Sequence, residues 1–310
     1  MVCSASPSGS GNERVDFFIP DSLTITYACA FSLVTLGLYV TISSGQFSVA
    51  HAALMGVGGY AAGIATVNWS PPFPVALLAG AAAGALLGLA IAFVLQRTSG
   101  ILLATVTIAL GQAIALTIQN VPSLGGSQGY TGIPIRTTVW WAIALTIVAF
   151  AFILGLLRTR IGLEFLAVSH DETVSKALGI SILATRLWGF GLGGLLAGLG
   201  GGLIAHQNGL IQPSELSFAQ EPKFFIYLVI GGFTSPWGAL LGTLAMYYVQ
   251  EVILRFGESS TLTIFGVHVL DYKDRFWILG LLLIVVILTR PRGVFVRRSL
   301  HWKRKGGTHG

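Results

Sequence analysis

At 310 residues, with 54% hydrophobic and 10% charged side chains and a mean hydropathy of +0.78, the chain lies outside the range of soluble globular domains. A soluble fold with so few charges would expose large apolar patches, and the apolar blocks recur instead at about the 20 residues a helix needs to cross hydrocarbon. The net charge of +6 does not indicate a nucleic-acid partner, because seven basic residues crowd positions 290–305 without an acidic one, as in a cytoplasmic anchor.

The short alternating segments of a transmembrane barrel are absent, so the expected fold is all-α, a polytopic bundle of eight to ten spans. The 40 glycines point to close helix packing and to helices that break. Cys3 sits in a polar leader and Cys29 in an apolar run, which suggests neither a disulfide framework nor a metal site. No cofactor is expected.

Residues 1–21 read as a disordered polar leader, without the charged region and apolar core of a signal peptide. The first span is Leu23–Ile42, ended by Ser43, Ser44 and Gly45. Phe47–Val67 is long enough to cross but carries Gly56, Gly58, Gly59 and Gly63; it either crosses with tight packing or is broken or re-entrant, which requires cover from protein or a water-filled cavity. Spans follow at Val75–Leu95, Ile101–Gln119 and Val139–Leu157, the last two separated by a polar loop over 120–138. Gly84, Gly88 and the glycines of 193–202 read as packing residues.

Beyond residue 157 a span is expected at Leu187–Ala205, with His206, Gln207 and Asn208 as solvent-facing cap residues. Residues 224–254 exceed one span and are divided at 231–238, where Pro236 forbids a continuous helix. Glu251 and Arg255, four apart, fit a helix-face pair, and Phe276–Thr289 closes the membrane part, 22–290, before a basic tail over 291–310.

The stretch Arg158–Arg186 stands apart. Residues 22–157 carry only Arg97 and Arg136 as charged side chains, whereas this stretch carries Arg158, Arg160, Glu164, Asp171, Glu172, Lys176 and Arg186. Each charge at a helix centre in lipid costs about 2.5–3.5 kcal/mol against about 0.3–0.6 returned by a Leu or Ile, so the stretch lies outside the bilayer. Ser169 and Glu172 have capping-box spacing, which predicts a short helix over Asp171–Leu178 with Val174, Ala177 and Leu178 on one face and Gly179 as its stop. Such a helix suits a partner's groove; the pattern fits equally a loop helix covering its own bundle. If this stretch and the tail are both cytoplasmic, and all five early segments cross, the N-terminus is external.

The run Arg160, Gly162, Asp171, Glu172 and Ala177–Ile180 resembles the cytoplasmic coupling segment of branched-chain amino acid ABC importer permeases of the second-permease type. GQFSVAHAALMGVGGYAAG (45–63), TSGILLATVTIALGQ (98–112), VIGGFTSPWGALLG (229–242) and LTRPRGVF (288–295) are similar to that family's motifs in the same order. Ser169 and His170 depart from the more basic sequence the family carries there.

The resemblance implies an inner-membrane transport subunit paired with a second homologous permease, two cytoplasmic ATP-binding subunits and a periplasmic or extracellular substrate-binding protein. It implies that Arg160, Gly162, Asp171, Glu172, Val174, Ala177, Leu178 and Gly179 form the ATPase coupling surface, and that this chain is not itself the enzyme. In agreement, no Gly-x-x-x-x-Gly-Lys-Ser/Thr phosphate loop is present.

Gln46, Ser48, His51, Gly56 and Gly59, polar or flexible positions within a membrane segment, are the candidates for the translocation pathway, although a histidine bonded to a neighbouring helix is a commoner reason for His51. A secondary transporter or channel is the alternative, disfavoured because the spans hold almost no acidic side chain to bind sodium or protons. A membrane enzyme would need clustered His, Asp or Glu at a membrane face. Urea, amides and aromatic acids are alternative substrates to branched-chain amino acids.

Overall fold

The computed structural model describes residues 21–98 and 100–259, with isolated positions at 263–264, 267–268, 280, 284 and 288. The leader through residue 20, the body of the expected span Phe276–Thr289, the tail and the side chain of Arg255 lie outside the described residues.

The chain is a helical bundle. Its helices are α1 (Ser22–Ser43), α2 (His51–Trp69), α3 (Phe73–Val94), α4 (Gly100–Gln119), α5 (Val139–Leu156), α6 (Arg160–His170), α7 (Glu172–Ala177), α8 (Ile182–Asn208), α9 (Glu221–Gly231) and α10 (Pro236–Ser259). Two short antiparallel ribbons accompany them: β1 (Tyr130–Thr131) with β2 (Leu210–Ile211), and β3 (Thr263–Ile264) with β4 (Val267–His268). Among the described residues, α1, α3, α4, α5 and α8 are long and apolar enough to cross a membrane. The polytopic all-α expectation therefore holds. α1 and α8 are mostly buried, while α3, α4 and α5 leave most of their apolar surface outward, as lipid-facing helices do.

The organising element is α8, which packs on α3, α1 and α2. It is longer than the apolar run Leu187–Ala205 suggested, because Ser181 caps it by accepting from the amide of Ala184 and its first turn is buried at Thr185 and Arg186. Its glycines set the packing distance. A Cβ on Gly84 would lie 2.3 Å from the Gly194 carbonyl oxygen, and one on Gly198 would lie 2.4 Å from that of Gly80. The four-residue glycine spacing of α3 thus meets that of α8 backbone to backbone, the small-residue contact used between helices in lipid.

The glycine-rich segment has a non-helical start followed by a helix of 19 residues. Residues 44–45 form a turn and 46–50 have no regular secondary structure, and Gln46 Nε2 donates to the Arg186 carbonyl at 3.1 Å, next to the 158–181 end of the bundle. The helix α2 begins only at His51 and ends beside the far end of α8, where Thr66 Oγ1 and His206 Nε2 lie 2.8 Å apart. The ends of α1 and α2 thus lie beside the two ends of α8, and the start of α1 lies away from the 158–181 end, with the Tyr27 hydroxyl bonded to Asn208.

The region 206–254 is broken twice. After α8 the chain forms β2 and two 3-10 turns (Pro213–Leu216 and Phe218–Gln220) before α9, whose 11 residues span only about 16 Å, half a bilayer. Gly232, at φ +113, then reverses the chain and Pro236 opens α10, bent by 117° from the preceding helix. His206, expected to face solvent, is instead fully buried: it is bonded to Thr66 and to the Gly202 carbonyl, since α8 runs three residues past the apolar block.

Candidate functional site

The 158–181 stretch folds as two helices, where the sequence suggested one. Ser169 is not the cap: its hydroxyl donates to the Leu166 carbonyl inside α6. Asp171 caps α7 instead, its Oδ1 accepting from the amides of Thr173 at 2.7 Å and Val174 at 3.1 Å. Both residues fit the cap preference, and the winner is the one nearer the chain's turn, because Asp171 alone takes the extended conformation a cap needs. Gly179 follows α7 at φ +78, the left-handed position that ends a helix.

The two helices face different ways. α6 buries Gly162, Phe165 and Val168 against its own bundle, while Arg160 and Glu164 form a surface ion pair at 3.1 Å, worth about 0.3–0.5 kcal/mol. A Cβ on Gly162 would lie 2.5 Å from the Leu157 Cα, so only glycine permits that turn. In α7 the buried residue is Ser175, and the apolar residues point outward: Val174 is 54% and Leu178 72% exposed, with Ala177 exposed beside them. The apolar stripe of α7 does not cover its own bundle.

α7 is nevertheless tied to the bundle. Arg186, in the first turn of α8, is buried and donates to Glu172 Oε1 at 2.7 Å, to the Thr98 carbonyl at 3.2 Å and to the Gln96 carbonyl. One guanidinium therefore joins α7, α8 and the α3–α4 turn. The sequence placed Arg186 among the exposed charges of the stretch; its planar fork and three acceptors explain why it is buried instead.

Of the five pathway candidates, Gln46 and Ser48 precede α2, His51 opens it, and Gly56 and Gly59 lie within it. Gln46 is buried, bonded to Ser44 and the Arg186 carbonyl, and lines a groove of about 440 Å³ with Phe47, Phe165, Ser169 and Phe233. Ser48 is buried, its hydroxyl without a hydrogen-bond partner among the described residues. His51 is fully buried with Nε2 3.2 Å from Thr41 Oγ1 of α1, which is the commoner histidine role named above. Gly56 and Gly59 admit the side chains of Leu216 and Ile211.

A further residue escaped the sequence reading. Glu221, in the first turn of α9, is buried, and its Oε1 accepts from the amide of Ala52 at 2.5 Å. The N-termini of α2 and of the short helix α9 thus meet at one buried carboxylate, where the positive ends of their dipoles favour a negative group. The only signal in the sequence was an acidic residue before Pro222 at the start of an apolar run.

Residues 22–288 match the family described as branched-chain amino acid transport system, permease component. The chain belongs to this permease family. The permease is 25% identical to the high-affinity branched-chain amino acid transport system permease protein LivM of Escherichia coli (strain K12), over 91% of this chain and 71% of that protein. It is 26% identical to the corresponding protein BraD of Pseudomonas aeruginosa, over 88% and 94%. It is also 26% identical to the autoinducer 2 import system permease protein LsrC of Klebsiella pneumoniae subsp. pneumoniae, over 84% and 81%. No solved structure matches the permease. Its relatives are transport permeases and its helices cross a bilayer several times, which makes it a multi-pass membrane protein.

Proposed function

We propose that the chain is the permease subunit of an ATP-driven importer for branched-chain or related amino acids in the inner membrane. It works with a second permease, two cytoplasmic ATP-binding subunits and an external substrate-binding protein. The observation that carries this reading is α7. Its apolar residues face outward, while Glu172 and Arg186 tie it to α8, which packs on α1, α2 and α3. A push on Val174 and Leu178 by an ATP-binding subunit passes through Arg186 to α8, and the bundle rocks between outward and inward access. Arg160, Gly162, Asp171 and Gly179 act by holding that surface in place, and Ala177 contributes to the contact. On this orientation the 158–181 end is cytoplasmic and residue 21 external. Uptake of radiolabelled L-leucine into vesicles holding the full complex should require ATP and the binding protein; uptake that persists without ATP contradicts the reading.

A second reading, a self-powered secondary transporter, gains one observation from the fold, the buried Glu221 where the N-termini of α2 and α9 meet. It predicts uptake by this chain alone, driven by a proton or sodium gradient, and the same vesicles test it.

A further inference from the structure

A chain of buried polar side chains leads from α7 into the bundle. Arg186 holds Glu172 of α7 through its guanidinium, and its backbone oxygen accepts from Gln46 Nε2 at 3.1 Å. The same amide nitrogen donates to Ser44 Oγ at 3.1 Å, and Ser44 in turn donates to the Thr41 carbonyl at 2.7 Å. Thr41 Oγ1 lies 3.1 Å from the Gly189 carbonyl of α8 and 3.2 Å from His51 Nε2. One residue beyond His51, the amide of Ala52 donates to Glu221 Oε1 at the start of α9. Thr41, Ser44, Gln46, His51, Arg186 and Glu221 are all buried.

The Thr41 hydroxyl carries a single hydrogen. His51 Nδ1 has no partner among the described residues, and an orphaned buried acceptor is tolerated better than an orphaned N–H. The imidazole proton therefore sits on Nε2 and goes to Thr41, whose own hydrogen is left for the Gly189 carbonyl, nearer at 3.1 Å than that of Gly37 at 3.2 Å. α8 makes room for this chain with glycine. A Cβ on Gly189 would lie 2.0 Å from Ser44 Oγ, and one on Gly193 would lie 2.2 Å from Thr41 Oγ1. At both positions the nearest atom belongs to a polar side chain, whereas Gly194 and Gly198 face the α3 backbone. Apolar residues would close the α1–α8 contact without burying hydroxyls and an amide; the bonded chain instead fixes one arrangement of the elements it joins.

We propose that Thr41, Gln46 and His51 are positioning residues of transport, which carry a displacement of α7 through Arg186 to the joint between α2 and α9 and do not contact the solute. A shift at Glu221 acts on a short helix that ends in the Gly232 reversal, so it reorients α9 against α10. The assignment rests on the reading of the chain as an importer permease and gives that reading the route by which the α7 contact reaches α9.

The test uses the full complex in vesicles with its binding protein, and L-leucine uptake and ATP hydrolysis are measured on the same sample. Thr41→Val keeps the shape and removes the hydroxyl. It should lower the leucine taken up per ATP about fivefold or more, as loss of coupling between sites does, while ATP hydrolysis and the preference for L-leucine over L-valine stay as in the unaltered complex. Thr41→Ser restores the hydroxyl and should restore the ratio. Gln46→Leu should lower the ratio as Thr41→Val does, and the double variant should lower it no further, because both changes interrupt one route.

An unchanged ratio in Thr41→Val and Gln46→Leu overturns the route, as does a Thr41→Ser ratio as low as that of Thr41→Val. Uptake and hydrolysis that fall in proportion mark a loss of folded complex and overturn it as well. A changed preference between leucine and valine places these residues in the path of the solute, and losses that multiply in the double variant show two separate effects; either result overturns the proposal. If Thr41→Val does not fold, Gln46→Leu decides with the same readouts. Absence of ATP-dependent uptake from the unaltered complex refutes the importer reading, whereas its presence with variants indistinguishable from wild type refutes only the route.

Discussion

Arg186 shows how much depends on single side chains in a chain with so few charges. Its guanidinium satisfies Glu172 and two backbone carbonyls at once. Arg186→Met keeps the length but removes every donor. Because Glu172 retains access to water, the expected cost is about 1.5–3 kcal/mol, that of hydrogen bonds to a charged group, read as a lowered unfolding temperature in detergent. Glu172→Gln, which keeps an acceptor, should cost less than half as much. Glu221 is the counterpart at the start of α9, buried among α2 and α9. Glu221→Gln retains the oxygen that accepts from Ala52 and should leave stability nearly unchanged, whereas Glu221→Ala strands that amide and should cost about 1–3 kcal/mol. Comparable losses in the two variants would remove Glu221 from its role as cap.

At the scale of elements, the packing of α3 on α8 is the feature most sensitive to one added carbon. Gly84→Ala and Gly194→Ala each place a Cβ within 2.3 Å of a facing carbonyl oxygen, and the helices must separate. The expected destabilisation is about 1–3 kcal/mol from overpacking. Gly155→Ala in α5 meets nothing within 4 Å and should stabilise by up to about 1 kcal/mol through helix propensity. Unfolding temperatures of the three variants check the contrast; equal behaviour would mean that the glycines do not set the helix distance.

Element boundaries were readable where local chemistry alone decides them. Pro74, Pro222 and Pro236 mark helix starts, Gly179 and Gly232 helix ends, and apolar length marks α1, α3, α4 and α5. The non-helical start of α2 and the burial of His206 and Arg186 were not, because each depends on a partner far away in sequence: Arg186 for Gln46, Thr66 for His206, the Gln96 and Thr98 carbonyls for Arg186. The two-helix form of 160–177 was missed because Ser169 and Asp171 are both good caps and backbone conformation, not residue type, chose between them. A cavity of about 260 Å³ between α1, α8, α9 and α10 was invisible because it too depends on partners far away in sequence. Tyr27, Glu215, Lys223 and Tyr247 become neighbours only when α1, α9 and α10 come together.

As a whole molecule, the permease has two unlike ends. At one, α7 offers an exposed apolar stripe braced to the central helix; at the other, the β1–β2 ribbon and the rim of the polar cavity close the bundle. The proposed function assigns the first end to the ATP-binding subunits. Val174→Asp with Leu178→Asp should leave membrane insertion and the unfolding temperature unchanged, since both side chains are exposed, yet reduce ATP-driven uptake at least about tenfold, as loss of a buried interface anchor does.

Contact with the ATP-binding subunits is the claim on which the account stands, and cross-linking measures it directly. With Cys3 replaced by Ser, Leu178→Cys and, separately, Gly132→Cys in the exposed loop at the opposite end are treated with a short thiol-to-amine cross-linker in the assembled complex. The account predicts a covalent product between position 178 and an ATP-binding subunit, and none from position 132. A product from position 132 and none from position 178 would contradict it.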